Sequence, residues 1–147
     1  MDLNLIDSTT AVYTMGIAST LSGIPNHSIR QYVDKKLIIP FRKKSNRNLF
    51  SQVDILRLKF IHKLLEEEGL NIAGIKCLLA TIPCWALRKC SAGERKKCKA
   101  FTSNSYPCWE APKKGKRCMN TDCRECDVYH VVENYPDIKT FLKTIIA

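Results

Sequence analysis

Apolar residues follow two regimes along this chain. Through about residue 80 they recur at helical spacing between short polar breaks; beyond it they fall irregularly and are interrupted by cysteine. The stretch "YTMGIASTLSGIPNHSIRQYVDKKLIIP" (13–40) predicts two short helices and a turn. Met15, Ala18, Ser19 and Leu21 give the first helix a small, apolar face, and Ser22-Gly23 is a turn signal. Pro25 suits the first position of the next helix, where its missing N–H would have no intrahelical partner anyway. On that second helix Ile29 and Val33 face inward at i, i+4. His27, Ser28, Arg30, Gln31 and Tyr32 fall on or near the other faces.

The following segment, "PFRKKSNRNLFS" (40–51), predicts a small β-hairpin with Arg42, Lys43, Lys44 and Arg47 around its tip. Ser51 then caps "QVDILRLKFIHKLLEEEG", and Asp54 three residues on completes a capping box. Ile55, Leu58, Ile61 (or His62) and Leu65 recur at helical spacing. Gly69 ends that helix, and Asn71 caps another, "IAGIKCLLA". Two helices, a turn and a basic wing offer polar groups of the kinds that reach base edges and phosphates.

Charge supports that use. The net charge is +10, and its distribution is uneven. Residues 1–50 carry seven Lys/Arg against three Asp/Glu, residues 51–82 carry four of each, and residues 83–147 carry thirteen against seven. A basic N-terminal region suits a polyanion such as DNA. Length and composition add limits: 147 residues with 45% hydrophobic content read as one folded domain or two small ones. The start, "MDLNLIDSTT", carries no secretory signal pattern. No apolar stretch approaches about 18 residues, so no membrane span is expected. The expected location is the cytoplasm, where thiols stay reduced. Eight cysteines there point to metal or redox chemistry rather than disulfides.

Residues 13–80 resemble the DNA-binding domain of the MerR family of transcriptional regulators. The resemblance is carried by "YTMGIASTLSGI", "SIRQYVDKKLIIP", "NRNLFS" and "VDILRLKFIHKLLEEEGLNIAGIKCLL". It implies a winged helix-turn-helix with Arg30 and Tyr32 on the recognition helix and Arg42 and Arg47 on the wing. It also implies a homodimer on double-stranded promoter DNA, acting on RNA polymerase indirectly by distorting the promoter. Two positions depart from the family pattern. Lys36 stands where glycine is usual, and Asn48 where arginine is frequent.

Family members continue into a long dimerisation helix, but "TIPCWALRKCSAGERKKC" has Pro83, Gly93 and no sustained heptad. A short helical run around 86–97 is expected instead. In the closing "YPDIKTFLKTIIA", Ile138, Phe141, Leu142, Ile145 and Ile146 have helical spacing and suit packing on the module or on a second subunit. Cys77, between Ile75 and Leu78, reads as a small core residue. The other seven cysteines form two groups, each opening with Pro-Cys-Trp: Cys84, Cys90 and Cys98, then Cys108, Cys118, Cys123 and Cys126. Residues 83–130 resemble the two-CW cysteine domain through the paired "CW", the spacing of Cys84 and Cys90, and "CRECDVY".

Four thiolates hold one metal ion or one [4Fe–4S] cluster, and Cys108, Cys118, Cys123 and Cys126 supply four. Lys113, Lys114, Lys116, Arg117 and Arg124 crowd them, and nearby cations lower thiol pKa. Cys84, Cys90 and Cys98 supply a second or shared site, with His130 or Cys77 as further donors. Iron–sulfur is the preferred reading because most gaps between the cysteines are long and irregular; a structural zinc site is the alternative. An enzyme or electron carrier is disfavoured: there is no thioredoxin-like βαβ pattern, no nucleotide loop, and His27, His62 and His130 lie scattered. The expected architecture is therefore mainly α: a winged helix-turn-helix (1–82), a cysteine-rich module (83–130) and a C-terminal helix (131–147). The expected function is a DNA-binding regulator whose module senses redox state, oxygen or metal.

Overall fold

The computed structural model describes residues 7–146. The N-terminal stretch in which no secretory signal is expected lies partly outside these residues, as does the final residue of the expected C-terminal helix. The chain divides into two compact units between Gly69 and Leu70, ahead of the boundary expected at 82.

The first unit follows its apolar pattern closely. Helix α1 (Met15–Ser22) starts where the Thr14 side chain accepts from the Ile17 N–H and stops at Gly23, whose φ of 75° is left-handed. Glycine occupies that conformation without steric cost. The Ser19 hydroxyl donates to the Ile24 carbonyl at 2.6 Å and secures the turn. Helix α2 (Asn26–Asp34) is capped by Pro25, one place earlier than the first helical position expected for it. The Pro25 carbonyl accepts from the Ser28 and Ile29 N–H groups.

The wing is strand β1 (Phe41–Arg42) paired antiparallel with β2 (Asn48–Leu49), Phe41 opposite Leu49 and Arg42 opposite Asn48. Its turn closes with Asn46 at φ 63°, a conformation asparagine tolerates. Tyr13 and Phe50 exchange backbone hydrogen bonds of 2.9 and 2.8 Å, pinning the chain ahead of α1 to the end of the wing. Helix α3 (Gln52–Glu66) opens with the expected capping box, Ser51 N–H to Asp54 at 2.8 Å and Asp54 N–H to Ser51 at 3.2 Å. Ala18, Ile24, Ile29, Leu37, Ile38, Phe50, Leu58 and Ile61 are buried. Leu21, expected on the inner face, is exposed.

The second unit holds α4 (Ile72–Ala80), capped by Asn71, then α5 (Cys84–Leu87), α6 (Ala92–Lys96), α7 (Lys99–Thr102), α8 (Lys116–Met119), α9 (Val131–Asn134) and α10 (Ile138–Ile146). The single run expected around 86–97 is thus two pieces. Lys89 takes φ 54° and breaks it, and Ser91 with Glu94 caps the restart. Short 3-10 turns carry Cys108–Glu110 and Cys123–Glu125. Among the described residues no helix is long and apolar enough to cross a membrane.

Candidate DNA interface and candidate metal centre

On α2, His27, Arg30 and Gln31 are exposed and Ser28 is half-buried, so four of the five expected contacts face outward. Tyr32 does not. It is 2% exposed, and its hydroxyl lies 3.0 Å from His62 Nδ1 on α3. The assignment of Tyr32 to the DNA-contacting set is therefore corrected: it is a core residue. Tyr32 follows Ile29 by three positions, so the inward stripe of α2 includes it. Val33, expected inside, is half-buried.

Arg42, Lys43, Lys44 and Arg47 all lie exposed on the wing. Arg30 and Arg47 line one open groove together with Thr14, Met15, Gly16 and Asn48. Helix α2, the wing and the start of α1 thus present two guanidinium groups and a helix N-terminus to a single surface. Helix N-termini attract phosphate through free N–H groups and the positive end of the dipole. The sequence reading missed this part of α1, although Thr14 ahead of a helical run is a legible cap signal.

Lys36 takes φ 60° at the end of α2. The family's usual glycine would occupy this left-handed position freely, whereas a residue with a Cβ pays about 1–2 kcal/mol there. Arg57 is another residue the pattern hides. A charged side chain at an i, i+3 position looks solvated, yet it is 1% exposed and its Nε donates to the Leu37 carbonyl at 2.9 Å.

In the second unit the seven module cysteines converge on two cavities. The first is lined by Cys84, Cys108, Cys118, Cys123 and Cys126, with Arg88, Lys114, Trp109 and Tyr129 among its walls. The second is lined by Cys84, Cys90, Cys98 and Cys118, with Arg95, Arg117, Trp85 and Phe101. Each group expected from sequence lines one cavity, Cys108, Cys118, Cys123 and Cys126 the first and Cys84, Cys90 and Cys98 the second, and Cys84 and Cys118 border both. All seven cysteines carry free thiols. Each cavity has one Cys-Trp pair whose indole meets another ring edge-on: Trp85 on Phe101 at 5.3 Å and Trp109 on Tyr129 at 5.1 Å.

Cys77 is exposed on α4, so it is neither the core residue expected of it nor part of either cavity wall. His130 also lines neither. Its Nδ1 is 3.3 Å from Glu133 and its Nε2 donates to the Arg124 carbonyl. Among the expected cations, Lys114 Nζ donates to Cys123 Sγ at 3.3 Å. Arg117 pairs with Glu94 at 3.4 Å. Lys113 and Lys116 are exposed.

Burial pushes the Cys84 thiol up to about 11, with the nearby Cys98, Cys118 and Cys90 adding to the rise. Burial raises Cys108 further, reinforced by Cys84, Cys126, Cys123 and Cys118. Cys118 is raised as well, chiefly by burial, with Arg88 opposing and Cys90, Cys126 and Cys98 adding. Thiols so placed stay neutral on their own, and a bound cation is what draws them into the thiolate form.

Among the described residues no three cysteine, histidine or acidic side chains stand close enough to share one ion as they lie. Four thiolates around zinc, at about 2.3 Å each, sit roughly 3.8 Å apart. Two buried donors agree with an anionic occupant: Arg88 Nε and Arg95 Nε have no hydrogen-bond partner, and one borders each cavity.

Comparison with known proteins decides the first half. Residues 13–82 match the family described as MerR HTH family regulatory protein. This segment is a MerR-type helix-turn-helix domain. The chain is 36% identical over 70 residues to a protein named "Putative heat shock protein HspR" from Streptomyces coelicolor, covering 48% of this chain and 46% of that one. It is 41% identical over 68 residues to the "HTH-type transcriptional regulator GlnR" of Bacillus anthracis and of Bacillus cereus, covering 46% of this chain and 52% of each. The chain thus spans about half the length of the curated relatives it matches. The MerR match ends at Ile82, two residues before the first module cysteine.

Proposed function

We propose that this chain is a DNA-binding transcriptional regulator that acts as a homodimer, and that its cysteine module carries an iron–sulfur centre reporting redox state, oxygen or metal to promoter DNA. The observation that carries the DNA half is the surface shared by Arg30, Arg47 and the start of α1, within a segment matching the MerR family. His27, Gln31, Arg42, Lys43 and Lys44 extend that surface.

What supports the sensor half is the donor set. Seven thiols, flanking cations and two buried, unpartnered guanidinium nitrogens suit a thiolate-ligated cluster, whose net charge is negative. A bound cluster supplies a one-electron change of charge. The chain's own residues hold it, shield it with Trp85, Trp109 and Tyr129, and connect it to α4. Lys76 on α4 meets Glu110, next to Trp109, at 2.8 Å, with both side chains only about one-fifth exposed (18% and 23%). That pair ties the second Cys-Trp turn to the last helix of the MerR match. RNA polymerase is then affected through the DNA, provided the two states of the module differ in affinity for deformed DNA.

Footprinting on promoter DNA, with protein purified anaerobically and then exposed to oxidant, tests this reading. Two symmetric protected half-sites report a dimer. Arg30→Ala should cost about 1–3 kcal/mol on the specific site and much less on random DNA. Arg47→Ala should weaken both alike and lower the salt slope by about one. Equal loss on specific and random DNA for Arg30→Ala removes its base-reading role. An identical footprint and affinity before and after oxidation removes the sensor reading.

A further inference from the structure

Two four-thiolate centres would need eight cysteines, and the cavities of this module have seven. Cys108, Cys123 and Cys126 border only the first cavity, and Cys90 and Cys98 only the second. Cys84 and Cys118 form the wall between them. The Pro-Cys-Trp repeat is mirrored in space: each cavity has its own indole, its own aromatic partner and its own arginine. Arg88 is anchored by its terminal nitrogen to the Arg117 carbonyl and the Thr121 hydroxyl, both at 2.9 Å. Its Nε is buried without a partner, and the residue lines the first cavity. Arg95 leans on the Phe101 ring at 5.9 Å; its Nε is likewise buried without a partner, and the residue lines the second. A single centre would use one of these two settings and leave the other without a purpose.

Cys84 and Cys118 line both cavities and so lie within reach of either. We infer that the module holds two adjacent metal–thiolate centres. Cys108, Cys123 and Cys126 ligate the first, beside Arg88, and Cys90 and Cys98 ligate the second, beside Arg95. The wall thiols Cys84 and Cys118 are divided so that one centre has four thiolates and the other three. The three-thiolate centre has a fourth position for a small donor from solution; at the second cavity the Glu94 carboxylate is already engaged by the Ser91 N–H at 3.1 Å and by Arg117. The kind of centre rests on the iron–sulfur reading above; the division into two rests on the cavities.

The test is metal, acid-labile sulfide and electron paramagnetic resonance on the full chain purified anaerobically. Two [4Fe–4S] centres give about eight irons per chain. Cys98→Ser and Cys123→Ser should each hold about half, Cys98→Ser keeping the first centre's signal and Cys123→Ser the second's. Cys77→Ser should hold all of it. In the reduced wild type the two neighbouring spins should split each other's signals, and the splitting should vanish in both half-loaded variants. A small thiol added to wild type should shift the signal of one centre alone. A wild-type chain with about four irons and an unsplit signal overturns the division. So does Cys98→Ser with undiminished iron. The wild-type measurement decides even if a variant fails to fold. Two zinc ions and no iron would overturn the iron–sulfur reading but keep the division, whereas one zinc ion would overturn both.

Discussion

In the MerR-type first unit, several buried polar groups find partners within the same unit, Ser51 with Asp54, Tyr32 with His62 and Arg57 with the Leu37 carbonyl, although Asn48 Oδ1 on the wing is buried without one. In the cysteine module, burial raises three thiols and two arginine nitrogens lie buried without a partner. Its helices are mostly single turns of four or five residues, too short to hold themselves together. The first unit is ordered by apolar periodicity and caps; the second has a buried apolar core that includes Ile75, Leu79, Val128, Tyr129 and Phe141, and in the function proposed above a bound centre orders the thiols beside it.

The largest expected effect tests that difference directly. Stripping metal with a chelator under anaerobic conditions should loosen the module while leaving the first unit folded. Structural metal sites of this type contribute on the order of 10 kcal/mol to folding. Both tryptophans, Trp85 and Trp109, lie in the module, so tryptophan emission reports on it alone and should shift to the red. Unchanged emission after complete metal removal would erase the contrast between the units.

The converse perturbation comes next. Leu58→Ala removes a fully buried side chain of α3 and should cost about 2–5 kcal/mol. Loss of DNA binding with full retention of metal is the expected pattern, read by gel shift and metal analysis on the same sample. Parallel loss of metal would show that the two units do not fold separately.

Tyr32→Phe sharpens the correction made above. Losing the hydroxyl contact with His62 should cost about 1 kcal/mol, seen as a lower Tm, with DNA affinity of the folded protein unchanged. A selective fall in specific DNA affinity without loss of Tm would return Tyr32 to the groove. The smallest effect is expected at Lys36→Gly: relief of about 1–2 kcal/mol of left-handed strain, less about 0.5–1 kcal/mol for glycine's greater freedom in the unfolded chain, leaves a net stabilisation. A lower Tm for this variant would show that the lysine side chain contributes more than its backbone conformation costs.

Much of the first unit was legible because its determinants are local. Thr14, Gly23, Ser51 with Asp54, and Asn71 are caps and stops that act within four residues, and the inward stripes of α2 and α3 follow the helical period. The exceptions share a cause. Tyr32 and Arg57 carry polar ends on long apolar stems, and only their neighbours decide whether such residues are buried. Cys77 failed in the opposite sense: a small apolar residue on a helix looked like core, and the packing of α4 leaves it exposed.

For the module, the sequence alone determined that seven cysteines form two groups behind a repeated Pro-Cys-Trp, amid cations, with no helix long enough to organise them. Which thiols share a cavity was decided only by the tertiary structure. Loops of ten to fifteen residues can bring almost any pair of cysteines together, since closure entropy rises only slowly with length. It took the folded chain to bring Cys84 to the cavity of Cys108 and Cys118 to that of Cys90, with Arg88 and Arg95 among the walls, because these are contacts between segments and not along them.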